Sequence, residues 1–162
     1  MTNGQEAEFT SLVRRYGEKL YWHIRSMSVS HEDADDILQN VLLKAWKALP
    51  SFRGDSAEFT WLWRIASNET VSFLRREKLR SVFGGLDAAR DVSSDPYFNG
   101  DEADARFRTA IAALPPKQRS VFCMRYYEDL PYEQISEITG TSVGALKASY
   151  HIAQEKIKQT II

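Results

Sequence analysis

The sequence predicts an all-α protein, two small helical domains joined by a flexible acidic linker. Three observations carry this reading. Apolar residues recur at spacings of three and four through two long stretches, alternating strand-like runs are absent, and a segment with no apolar period separates the stretches. That segment, residues 80–101 (RSVFGGLDAARDVSSDPYFNGD), combines Gly84-Gly85, Ser93-Ser94, Pro96 and Asn99-Gly100 with most of the acidic excess. Its lack of periodicity predicts mobility. With 43% hydrophobic residues among 162, there is enough apolar material for real cores, and no internal repeat is present.

In the first stretch Phe9, Leu12, Val13, Tyr16 and Leu20 keep a helical stripe that Trp22 and Ile24 follow, up to a break at residues 27–29. The next helix is the clearest in the chain. Ser30 is a candidate N-cap with Asp33 three residues on, and acidic residues fill the first turn. Ala34, Ile37, Leu38, Val41, Leu42, Ala45, Trp46 and Leu49 then hold one face until Pro50 stops the run. The other face, Asp36, Gln39, Asn40, Leu43 and Lys47, is a polar stripe around one leucine that the core face cannot accommodate. A single exposed leucine is ordinary on a soluble surface. An acidic and amide stripe with an apolar centre is also what a partner helix docks on, and spacing alone leaves both readings open.

A loop at residues 50–56 (PSFRGDS) leads to a further helix whose expected core side carries Phe59, Leu62, Ile65, Ala66 and Phe73. At about 100° per residue, Trp61, Arg64, Asn68, Val71 and Arg75 fall on the opposite side. Aromatic, guanidinium and amide groups aligned on one face suit single-stranded DNA, because rings and guanidinium planes stack on unpaired bases and arginine also meets phosphate. The competing reading packs Trp61 between helices and leaves the arginines solvated.

In the second stretch Phe107, Ile111 and Leu114 precede Pro115-Pro116, which end one helix and can open the next at Lys117. That helix runs through Val121, Phe122 and Met124 to Tyr126-Tyr127. Pro131 can start a short helix carrying Ile135 and Ile138 that ends at Gly140. Thr141 or Ser142 can cap a final helix with Val143, Leu146, Tyr150, Ala153 and Ile157 inside. Short helix, glycine turn and longer helix make a helix-turn-helix pattern, with an ordinary helical hairpin as the alternative.

Charge distribution narrows the function. Residues 1–80 carry 12 basic and 11 acidic side chains, residues 81–105 carry 1 and 6, and residues 106–162 carry 8 and 5, for a net charge of −1. A chain binding DNA unaided would carry a stronger basic excess, because phosphate neutralisation supplies most non-specific affinity. Weak autonomous binding, or delivery by a partner, is implied. A free-standing helix-turn-helix regulator, which would dimerise to read paired half-sites, fits this charge poorly. An enzyme fits worse: His23, His31 and His151 lie apart without metal-ligand spacing, and no phosphate loop, nucleophile motif or cofactor signature is present. The single cysteine, Cys123, sits in an apolar run and reads as a buried structural thiol. The N-terminus, MTNGQEAEFT, lacks a basic region followed by an apolar stretch, and no segment is long and apolar enough to span a bilayer, which predicts a cytoplasmic protein.

Three blocks, DADDILQNVLLKAW at 33–46, FTWLWRIASNETVSFLRR at 59–76 and LPPKQRSVFCMRYYEDLPYEQISEITGTSVGALKASYHIAQEKI at 114–157, together resemble the extracytoplasmic-function (ECF) group of bacterial RNA polymerase sigma factors. Their order and spacing within so short a chain are specific in combination. The resemblance implies sigma region 2 in residues 1–79, a linker at 80–103 and a region 4 helix-turn-helix at 104–162. It implies core RNA polymerase and promoter DNA as partners, an anti-sigma factor as a third, no cofactor and no catalytic activity.

The resemblance also assigns roles to the surfaces. Asp36, Gln39, Asn40, Leu43 and Lys47 look like the face that docks on core polymerase. Phe52, Arg53, Gly54 and Asp55 look like part of the loop that captures a flipped base of the minus-ten element, with Trp61, Arg64, Asn68, Arg75 and Arg76 near the melted strand. In the last helix Ser142, Gly144, Ala145, Lys147, Ala148, Ser149 and His151 look like the minus-thirty-five face in the major groove. The linker resembles the connector that threads toward the polymerase cleft. The chain departs from the family pattern where arginines are common, at Ser149, Ile152 and Gln154, which implies fewer phosphate contacts and a flatter salt dependence. It also has Ser72 where an aspartate is usual.

Overall fold

A computed structural model describes residues 3–27, 29–54, 56–84 and 102–161, and its described residues form helices and no strands. The first bundle contains α1 (Asn3–Arg25), α2 (His31–Ala48) and α3 (Glu58–Gly84), with a 3-10 turn (Leu49–Ser51) after α2. The second contains α4 (Glu102–Ala112), α5 (Pro116–Tyr126), α6 (Tyr132–Thr139) and α7 (Val143–Ile161).

Local chemistry sets the ends of α2 as the spacing predicts. The Ser30 hydroxyl accepts from Asp33 N at 3.2 Å, and Glu32 and Asp33 sit in the first turn, where the helix dipole favours negative charge. Ala34, Ile37, Val41 and Ala45 are buried, and Leu49 closes the face in the 3-10 turn around Pro50.

The third helix is longer and more deeply packed than its sequence suggests. Residues 80–84, placed in the linker by composition, continue α3, since the helix-forming run EKLR at 77–80 has no stop before the glycine pair and Arg80 pairs with Glu77 one turn back at 3.2 Å. Residues 85–101, and the mobility expected of them, lie outside the described residues. Trp63, absent from the expected core side, is 1% exposed at the centre of the bundle, stacked on Phe59 with ring centroids 4.0 Å apart. Val71, expected on the solvent face, is buried as well. The cause is two-sided packing. α3 meets α1 and α2 in the first bundle and α5 and α6 in the second, so the buried arc is wider than a single apolar stripe and takes in Ser67 and Thr70.

In the second bundle Pro116 opens α5, where a missing N–H is tolerated. Gly140 ends α6 at φ 75°, ψ 9°, its N–H donating to Ser136 O at 2.8 Å. This left-handed cap is the conformation for which glycine is suited. Of the two expected caps for α7 it is Ser142 whose hydroxyl accepts from Ala145 N, at 3.2 Å. Leu146, Ala153 and Ile157 bury the inner face of α7 against α4, α5 and α6. Among the described residues, no helix is long and apolar enough to cross a membrane.

Candidate functional site

Every residue of the α2 stripe, Asp36, Gln39, Asn40, Leu43 and Lys47, is exposed, while the opposite face supplies the core. Leu43 is 52% exposed in the middle of that stripe. Its neighbour Lys44 forms an ion pair with Glu69 on α3, a buried-stem carboxylate next to Asn68. The stripe and the outer face of α3 are therefore tied together by one cross-link between adjacent helices.

At the base of α3 the loop is shaped by Phe52, which packs on Trp61 with ring centroids 4.8 Å apart. Arg53 and Gly54 are exposed, and Gly54 adopts φ 75°, a turn that glycine allows. Asp55 lies outside the described residues. Along α3, Arg64, Asn68, Arg75 and Arg76 are exposed and Trp61 is partly buried beneath Phe52. Val71, expected on the same face, is buried instead. Arg64 is not free, since its Nη2 donates to the backbone carbonyl of Glu137 in α6 at 2.7 Å.

On α7 Ser142, Gly144, Ala145, Lys147, Ala148 and His151 are exposed and Ser149 is half-buried. No atom lies within 4 Å of the place a Cβ would occupy on Gly144, so this end of the helix can approach a flat or grooved surface closely. Lys147 Nζ sits 5.8 Å from the Tyr132 ring centroid, and Ile152 and Gln154 are exposed on the same helix.

A polar cluster between the two bundles escaped the sequence reading. Glu128, just after α5, accepts from His23 Nδ1 at 2.6 Å and from Trp63 Nε1 at 2.8 Å. A carboxylate only accepts, so Nδ1 carries the proton, and His23 Nε2 lies 3.2 Å from Ser67 Oγ. Arg119 donates to Ala112 O and to Leu114 O (3.1 Å), covering the end of α4, and to Met27 O across the interface at 3.3 Å. Burial in this ring of carbonyls lowers the Arg119 pKa. The Cys123 thiol donates to Ser26 O at 3.2 Å, and burial pushes its pKa up. One signal was available in the sequence: His23 lies three residues after Leu20 and four before Met27, within the apolar stripe of α1. Glu128 and Arg119 had none, because their partners are distant in the chain.

Chemically, the arrangement is built for contact. Among the described residues no three His, Cys, Asp or Glu side chains come together to hold a metal ion. His31 is engaged by the Tyr21 hydroxyl at 2.6 Å and by Asp35 at 3.4 Å, and His151 is an exposed residue of α7.

Comparison with known proteins accounts for most of the chain. Residues 12–80 match the family model for sigma-70 region 2, and residues 104–156 match that for sigma-70 region 4. The RNA polymerase sigma-H factor of Pseudomonas aeruginosa is 32% identical, the alignment covering 98% of this chain and 88% of that protein. The ECF RNA polymerase sigma-E factor of Escherichia coli is likewise 32% identical over the same shares. Among solved structures, the sigma factor RpoE in its co-crystal with the anti-sigma factor NepR from Bartonella quintana superposes with a TM-score of 0.71 at 25% identity, covering 94% of this chain and 96% of that one. CnrH in complex with the cytosolic domain of CnrY gives 0.66 at 23% identity, covering 95% and 87%, a likeness of fold.

Proposed function

Because this chain belongs to the ECF group of bacterial RNA polymerase sigma factors, we propose that it divides promoter recognition among its surfaces as follows. Region 2 comprises residues 1–79, region 4 comprises residues 104–162, and residues 80–103 connect them. The α2 stripe of Asp36, Gln39, Asn40, Leu43 and Lys47 docks on core polymerase. The loop at 51–56 takes up a flipped base of the minus-ten element, while Trp61, Arg64, Asn68, Arg75 and Arg76 hold the melted strand. Extruding a base costs a few kcal/mol of stacking, which the aromatic pair and the arginines offset. The exposed face of α7, from Ser142 to His151, enters the major groove at the minus-thirty-five element.

One observation carries this reading: on α2, four polar groups and Leu43 stand exposed opposite the face that buries Ala34, Ile37, Val41 and Ala45, with Leu43 half exposed at their centre. Burying the exposed half of this leucine in a partner contributes roughly 1 kcal/mol. The near-neutral net charge of −1 fits a protein that reads DNA only when polymerase delivers it. No catalytic step of its own is assigned, and the site of action is the cytoplasm, where polymerase works. An anti-sigma factor is a further partner, supported by the complex in which the similar RpoE is found.

The test is run-off transcription with purified core polymerase on pooled genomic promoters, with wild type beside Leu43→Glu and Asn68→Ala. Start sites with wild type alone, lost at core binding in the first variant and at melting in the second, are expected. A protein that shifts duplex DNA unaided but neither binds core nor supports initiation would contradict the assignment of these surfaces.

A further inference from the structure

Glu128 belongs to neither of the surfaces proposed for polymerase and DNA, yet it makes two hydrogen bonds between the two regions. It is a region 4 carboxylate whose two oxygens are each taken by a region 2 donor, His23 from α1 and Trp63 from α3. The backbone holds it there. Leu130 N closes back on Met124 O at 3.1 Å, and Asp129 takes up φ 52°, a left-handed conformation uncommon outside glycine, asparagine and aspartate. The turn after α5 is thus wound so that Glu128 points into region 2. Around it lie Arg119 on Met27 O, Cys123 on Ser26 O and Arg64 on Glu137 O, all joining the same two bodies.

This joined state cannot read a whole promoter. A chain of 162 residues folded as one body is about 40 Å across, from a radius of gyration of about 15 Å. Elements centred about 25 base pairs apart are separated by roughly 85 Å along B-form DNA. Closure also takes Arg64 away from the strand it is assigned to, while leaving the α2 stripe and the outer face of α7 exposed.

We propose that Glu128 is an intramolecular latch: it holds region 4 closed against region 2 in the free chain, and its release from His23 and Trp63 is a required step before both promoter elements are engaged. The latch is defined by the contacts of Glu128 alone, and only its consequence for transcription rests on the surfaces proposed above. Removing the carboxylate leaves the His23 and Trp63 N–H groups without their acceptor in the closed state, whereas water satisfies them in the open one. The equilibrium then shifts toward opening by about tenfold or more, the usual worth of hydrogen bonds to a charged group.

The experiment compares the full-length wild type with Glu128→Ala and Glu128→Gln, each checked for helix content by circular dichroism. Small-angle scattering reports the separation of the regions. The reaction rate of Cys123, the chain's single cysteine, with a thiol reagent reports opening, because its thiol is buried against Ser26. The expected result is a scattering radius near 15 Å for wild type, an increase of several ångströms in Glu128→Ala, about tenfold faster labelling, and partial retention in Glu128→Gln, which keeps one good acceptor. In run-off assays the alanine variant should reach half-maximal transcription at a correspondingly lower concentration. A wild type already extended, or a Glu128→Ala variant with unchanged radius and unchanged labelling, overturns the latch. Scattering and labelling need no polymerase, so they decide it independently of which residues touch DNA.

Discussion

Phe52 and Trp61 pack ring against ring across the junction between loop and helix, with centroids 4.8 Å apart and planes inclined by 32°. One residue belongs to the element proposed to receive a flipped base and the other to the helix proposed to lie along the melted strand. Trp61 is partly buried and its ring is held against Phe52, so little side-chain entropy is lost when a base stacks on it.

Replacing Trp61 by alanine should therefore weaken binding of a single-stranded minus-ten oligonucleotide to the polymerase complex by about 1–3 kcal/mol, or roughly 5- to 150-fold. Fluorescence anisotropy with labelled oligonucleotide measures it. An unchanged affinity would take Trp61 off the strand-binding face.

Region 4 carries an exposed Ile152, 46% accessible, at a position where family members commonly have arginine. Ile152→Arg adds one cation to the helix proposed to enter the major groove. It should raise affinity for minus-thirty-five duplex and steepen the plot of log affinity against log salt by about 0.9. A titration series in potassium chloride gives the slope; a parallel line would show that this position does not meet phosphate.

Gly140 ends α6 at φ 75°, and a Cβ there would meet no atom within 4 Å. The cost of Gly140→Ala is consequently one of backbone conformation alone, about 1–2 kcal/mol. Gly140→Asn should lose less, because asparagine tolerates the left-handed region. Urea denaturation of both variants checks the order, and equal losses would point to a packing defect instead.

Alkaline stability should depend on Cys123. Burial raises its pKa above the ordinary 9.0, so the folded protein keeps a proton that the unfolded chain gives up. The stabilisation is complete below about pH 9 and declines as pH rises beyond it, by up to about 1.4 kcal/mol per pH unit. Between pH 9 and 10 the urea midpoint of wild type should fall faster than that of Cys123→Ala; parallel profiles would mean that the thiol is solvated.

The helices and their exposed faces were legible in the sequence because both follow from local rules. The Ser30 and Ser142 caps, the Gly140 stop and the exposed stripe from Asp36 to Lys47 all obey spacing within one or two turns. Where reading failed, two bodies met. Trp63 and Val71 were misjudged because α3 packs against both bundles, and a periodicity argument assumes one. His23 and Glu128 stand 105 residues apart, so nothing in the neighbourhood of either residue announces the other. Composition likewise ended α3 too early, since serine and glycine near its end outweighed the helix formers before them.

The ion pair between Lys44 and Glu69 has a consequence for where transcription begins. Each partner is the immediate neighbour of a residue proposed to work outward: Lys44 follows Leu43, and Glu69 follows Asn68. With adjacent helices packed together and tied at that point, the stripe proposed to dock on polymerase and the face proposed to hold the melted strand sit on one packed unit. Under that proposal, the distance from the parted bases to the polymerase active centre is fixed by where α2 docks, and region 2 serves as a ruler whose zero mark lies on α2.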